Sequence, residues 1–134
     1  MVQEEVLDSL ASDGLTVYAV WESILPADNE RWAHKSAAIF HDPRVRNYWV
    51  GSDDLGAAFQ PALHLEGGPA WDVYLLYGPG TGWQGRGPGA GPPVPAFYMH
   101  QLRALPDSLA LDGPQLRSAI RKQLARRAQL QLSH

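Results

Sequence analysis

The sequence predicts an α/β protein built on a mixed sheet with helices on both faces. Strand-like runs rich in β-branched and aromatic residues alternate with segments of helical periodicity. The first two strand-like runs are joined through a helix-length segment, which requires parallel pairing by a crossover, while the last two are joined by a loop alone, which suits antiparallel pairing. A length of 134 residues, 45% of them hydrophobic and including five Trp and five Tyr, fits one domain with one core.

Val2, Val6, Leu7 and Leu10 recur at helical spacing, and Asp13-Gly14 offers a glycine that can close the helix in the left-handed conformation. Leu15 to Trp21 is almost continuously apolar, so it reads as a central strand covered on both faces. Pro26 breaks the run, Asp28 is placed to cap a helix, and Trp32, Ser36, Ile39 and Phe40 share one side of that helix as far as His41. Asp42-Pro43 ends it. Arg44 to Val50 reads as a second strand whose polar alternates suit an edge. Asp53-Asp54 begins the next helix, with Leu55, Phe59 and Leu63 at four-residue intervals and Pro61 making it short or kinked.

Trp71 to Tyr77 and Phe97 to Leu102 are the last two predicted strands. Twelve of the eighteen residues from 78 to 95 between them are Gly or Pro, a composition that cannot pack a core. Asp112-Gly113-Pro114 marks the start of a final helix with Leu116, Ile120 and Leu124 as its buried stripe. No internal repeat is present.

Charge is unevenly distributed around a net value of -3: the first thirty residues hold seven acids and no Lys or Arg. The segment from Asp112 onwards holds Arg117, Arg121, Lys122, Arg126 and Arg127, read as a solvated helix face rather than a contact for nucleic acid or an acidic partner. The absence of cysteine excludes disulfides, zinc fingers and thiolate catalysis in this chain. No apolar stretch approaches the roughly 18 to 20 residues of a membrane span, and the acidic N-terminus is unlike a signal peptide, so the expected address is the cytoplasm with no membrane contact.

Particular residues carry a likeness to a known family. Val20-Trp21-Glu22-Ser23-Ile24-Leu25-Pro26-Ala27-Asp28 resembles the strand end, tryptophan and active loop of the thioredoxin fold, with the family's two cysteines falling at Leu25 and Asp28. Val94-Pro95, standing before Ala96-Phe97-Tyr98-Met99, resembles the family's cis proline and final hairpin. Trp21-Glu22, Leu25-Pro26, Asp42-Pro43-Arg44-Val45 and Tyr48-Trp49 together are similar to a group of poorly characterised bacterial thioredoxin-like proteins. The resemblance implies a single thioredoxin-like domain over residues 1–134, a three-layer sandwich whose central mixed sheet has four strands. It also implies a cleft between the loop 21–28 and Pro95. Oxidoreductase activity is not carried over, because both redox cysteines are missing.

Glu22 and Asp28 flank the loop, with Asp42 and Arg44 expected nearby. Paired carboxylates can act as acid and base, but an ordinary helix cap explains Asp28, and pairing with Arg31, Arg44 or Arg46 explains Glu22. His34, His41 and Asp42 have donor chemistry for a divalent ion at nonspecific spacing and read as surface residues. His100 reads as a half-buried histidine bonded to backbone. Gly80-Thr81-Gly82-Trp83-Gln84-Gly85 fits the dinucleotide fingerprint in letters, but Gly87-Pro88-Gly89 leave no helix to hold a pyrophosphate. Trp83 and Arg86 in that loop have the chemistry of interface anchors. The aromatics at 18, 21, 48, 49, 71, 74, 77 and 98 read as core, because the strands add only Arg44 and Arg46 to them.

The expected function is therefore that of a redox-inactive, thioredoxin-like binding protein. Trp21, Glu22, Leu25, Asp28, Asp42, Arg44, Trp83 and Pro95 are its ligand-binding residues, and a protein or small molecule is the ligand. No catalytic residue, metal, cofactor or nucleic-acid partner is assigned. The rivals are an enzyme using Glu22, Asp28 or Asp42, and a metal-handling accessory protein using His34, His41 and Asp42.

Overall fold

Val17–Glu22 (β1) and Val45–Val50 (β2) pair in parallel, with Val17 opposite Val45, Trp21 opposite Trp49 and Glu22 opposite Val50. A parallel pair needs a crossover, and Glu30–Ala37 (α1) supplies it, as the spacing predicts. The computed structural model describes residues 1–83, 85 and 90–133. The chain divides into two compact units, Met1–Asp53 and Asp54–His134.

In the first unit a helical turn over Val2–Leu7 has the wide i to i+5 bond of a π-helix, from Asp8 N–H to the Gln3 carbonyl at 2.9 Å. Val6, Leu7 and Leu10 are buried, as their spacing predicts, but the helix stops at Leu7, well before Asp13-Gly14. Gln3 is buried as well. Its amide donates to Asp8 Oδ1 at 2.6 Å and accepts from the His41 N–H at 3.3 Å. β1 is not covered on both faces: Tyr18 is 61% exposed and Val20 is exposed too, because a two-stranded sheet with one crossover helix hides only the face carrying Val17, Ala19 and Trp21.

Two further expectations fail at α1. Asn29, not Asp28, caps the helix, its side-chain oxygen accepting from Trp32 N–H at 3.1 Å. Trp32 and Ile39 are exposed; the inward stripe is Ala33, Ser36 with Ala37, and Phe40, shifted by one residue from the predicted face.

The second unit opens with Asp54–Leu63 (α2), which keeps Pro61 inside its last turn. His64 closes it with a positive φ of 52°, and Leu65 N–H reaches back to the Gln60 carbonyl at 3.0 Å. Val73–Leu76 (β3) and Phe97–His100 (β4) pair antiparallel, with Val73 opposite His100 and Leu76 opposite Phe97. Leu63, Leu65, Ala70 and Leu105 form the core, with Phe59, Val73, Leu75, Tyr98 and Leu102 packed on it. Gly113–Leu132 (α3) is capped by Asp112, whose carboxylate accepts from Gln115 N–H at 2.7 Å; it buries Leu116 and Ile120 as predicted, while Leu124, the third member of the predicted stripe, is only half-buried.

The protein is thus mixed α/β, and its described residues form one parallel and one antiparallel sheet of two strands each. Among the described residues the strand pairing shows neither the single mixed sheet expected from the element order nor the four-stranded central sheet that the thioredoxin resemblance implies. Among the described residues, no helix is long and apolar enough to cross a membrane.

Candidate functional site

The end of β1 delivers Trp21 and Glu22 to the loop that enters α1, the position at which open α/β sheets carry their ligands. Trp21 lies beside Trp49 in register, and its indole N–H donates to Asn47 Oδ1 at 3.0 Å. Ala33 and Ala37, one helical turn apart, let α1 approach these side chains closely. Between them is a hollow of about 40 Å³ lined by Trp21, Ala33, His34, Ala37, Asn47, Tyr48 and Trp49. That volume holds a water or two and is far below the roughly 300 Å³ of a cofactor or drug-sized pocket.

Beyond Glu22 the chain turns tightly. The Asp28 carboxylate accepts from Ile24 N–H at 3.0 Å and Leu25 N–H at 2.6 Å, and Asp28 N–H returns a bond to the Leu25 carbonyl at 2.9 Å. Asn29 Nδ2 donates to the Ala27 carbonyl at 3.0 Å while its oxygen caps α1. Adjacent side chains therefore divide the work: Asp28 braces the loop and Asn29 starts the helix. Leu25 is left 57% exposed at the crest, with Pro26 and Ala27 exposed behind it. The Asp28 carboxylate is occupied by backbone donors.

Asp42 and Arg44 form a separate, structural cluster. Asp42 Oδ1 accepts from the Arg44 backbone N–H at 2.8 Å and from its Nε at 2.9 Å, and Oδ2 accepts from Nη2 at 2.5 Å. The guanidinium also donates to the Leu7, Leu10 and Ser12 carbonyls, tying the end of the N-terminal turn to the start of β2. These bonds from Arg44 hold the Asp42 carboxyl down at about 2, and the same pairing raises the Arg44 pKa. A carboxylate so engaged is poorly suited to proton transfer near neutrality.

Six of the sequence-predicted site residues, Trp21, Glu22, Leu25, Asp28, Asp42 and Arg44, lie in the first unit. Glu22 stands half-buried at the end of β1. The other two belong to the second unit: Trp83 sets its ring edge-on to Phe59 of α2 at 6.1 Å, and Pro95 is buried after a trans peptide bond just before β4. Arg86, Gln84 and Gly87-Pro88-Gly89 lie outside the described residues.

The described histidines do not assemble a donor set. His34 faces Glu30 at 3.7 Å on the exposed side of α1, and among the described residues no three His, Asp or Glu side chains converge. His100 is more deeply buried than predicted, at 1% exposure; its Nδ1 accepts from Leu102 N–H at 3.0 Å, so Nε2 carries the proton donated to the Pro106 carbonyl at 2.9 Å.

The aromatic side chains expected in the core include several that face solvent. Tyr18 and Tyr48 stack at 6.2 Å on the open face of β1 and β2, and Trp71 is exposed. Sequence reasoning also missed Asn29 and Asn47, although asparagine is as strong a helix cap as aspartate and alternation places Asn47 on the face of Trp49. No family model, curated protein or solved structure was found to match this chain.

Proposed function

We propose that the chain is a binding protein without thiol chemistry, which engages a protein or small ligand through the loop from Trp21 to Asp28. The observation that carries this reading is the double acceptance of the Ile24 and Leu25 N–H groups by Asp28, which holds an exposed leucine out on a stitched turn. Pre-ordering a contact loop removes part of the conformational cost of binding, and a large apolar side chain at its crest supplies an anchor. Trp21 and Glu22 flank the anchor on the strand side. The thioredoxin-like fold belongs to the same proposal; the β1-α1-β2 crossover, and an antiparallel β3–β4 pair followed by a helix, support it.

The reading is tested by affinity capture from the protein's own cell, with the full chain as bait and excess free chain as competitor. Leu25→Asp should abolish competed capture without lowering the unfolding temperature, since the side chain is already exposed. Asp28→Ala should weaken it by about tenfold through loss of the brace. Capture that survives Leu25→Asp removes this loop from the function.

A further inference from the structure

The second half of α3 has chemistry that the Leu25 loop does not use. Ile120 is the last buried residue of this helix, and the twelve that follow, Arg121 to Leu132, span about 18 Å without a buried member. Arg121, Lys122 and Arg126 are exposed in that stretch, with no carboxylate partner among the described residues, and no acid occurs anywhere from Gly113 to Leu132.

Helical spacing fixes where these side chains point. Ser118, Lys122, Arg126 and Gln129 follow one another at intervals of four, four and three, so they form one outward row opposite Leu116, Ile120 and Leu124. Arg121 sits on the flank of that row. The row is made of cations and hydrogen-bonding groups, without an aromatic or large apolar side chain.

We propose that this row lies along the phosphate backbone of double-stranded DNA. Charge complementarity requires a polyanion, and three classes offer one. An anionic membrane requires a continuous apolar face, whereas the exposed Leu130 and Leu132 point to different sides of the helix. A protein interface is anchored by aromatic or apolar residues, which the row lacks. Duplex DNA carries a regular line of phosphates, about one charge per 1.7 Å of helix axis, which a straight row of cations and hydrogen-bonding groups can follow. Phosphate contacts dominate such binding, so it is sequence-independent and salt-sensitive. This departs from the expectation that nucleic acid is not a partner, which read the cations of α3 as a solvated face. It is independent of the Leu25 loop, so either proposal can fail alone.

The test is fluorescence anisotropy of a labelled mixed-sequence duplex of about 20 base pairs titrated with the full chain, from about 50 to about 200 mM salt. Three phosphate contacts predict saturable binding that weakens about 40-fold over that range. Lys122→Gln with Arg126→Gln should weaken binding at least about tenfold at the lower salt and bring the logarithmic salt slope from about -3 to about -1. Arg46→Gln, in the other unit, should change neither. Absence of saturable binding, a double variant that binds as the parent does, equal displacement by polyglutamate, or binding to phosphatidylserine vesicles in preference to the duplex would each overturn the proposal.

Discussion

Arg44 is the residue on which most of the first unit's polar organisation converges. Its guanidinium reaches three carbonyls of the N-terminal segment and both oxygens of Asp42, so Arg44→Ala leaves several acceptors without a donor at once. Arg44→Ala should therefore lower the thermal midpoint more than Arg46→Ala, whose side chain is exposed on β2. Asp42 adds a pH dependence of definite sign. Its pKa is about 2 in the folded chain against an ordinary 3.8, so its contribution is complete above about pH 4 and is lost as pH falls toward 2. In Asp42→Asn, acid titration of stability should be flatter over that interval; an unchanged slope would remove Asp42 from the account. His100, buried and bonded to backbone through both ring nitrogens, predicts a loss of about 3 kcal/mol in chemical denaturation of His100→Ala, from the cavity and the two stranded backbone groups. Sequence made the backbone bonding of His100 legible, because a histidine among strand residues has few other partners. It did not make Arg44 legible as a clasp, because the carbonyls it caps lie more than thirty positions away.

At the scale of elements, local signals located most segments and misassigned their ends. The parallel pairing of β1 and β2 followed from a helix-length connection, and the cap and stripe of α3 followed from Asp112, Pro114, Leu116 and Ile120. The start of α1 went wrong because Asp28 and Asn29 are both competent caps. Which one acts is decided by the turn before them, where Leu25 N–H lies within reach of Asp28. Asn29→Ala should cost about 1 kcal/mol, measured by denaturant unfolding, while leaving the loop bonds of Asp28 in place. The end of α2 supplies a gain instead. His64 adopts a left-handed conformation that glycine takes without strain, so His64→Gly should raise stability by about 0.5 kcal/mol in the same assay. The open face of β1 was illegible for a related reason: an apolar run such as Leu15 to Trp21 does not record how many layers cover it, and Tyr18 and Val20 are left in solvent.

Across the whole chain, the two units divide the charge. Residues 1–53 hold nine acids against four Lys or Arg, and residues 54–134 hold five against seven. The acidic unit contains the braced Leu25 loop; the basic one contains the cationic row of α3. Element order and the parallel pairing of β1 and β2 were readable from the chain, since a helix-length connection forces a crossover; the link from 77 to 96 is long enough for either direction, so its loop composition only suited the antiparallel pairing that forms. The single mixed sheet was inferred from element order and its four-stranded form from resemblance; strand pairing beyond each unit is not written in local spacing. The central claim, that Leu25 is a contact residue held out by Asp28, is tested most directly by placing a photo-crosslinking amino acid at position 25 and, as a control, at exposed Asp13 of the same unit. The account predicts a discrete crosslinked species in the cell from position 25, absent from position 13 and diminished by Asp28→Ala. Equal crosslinking from both positions, or none from position 25, would contradict it.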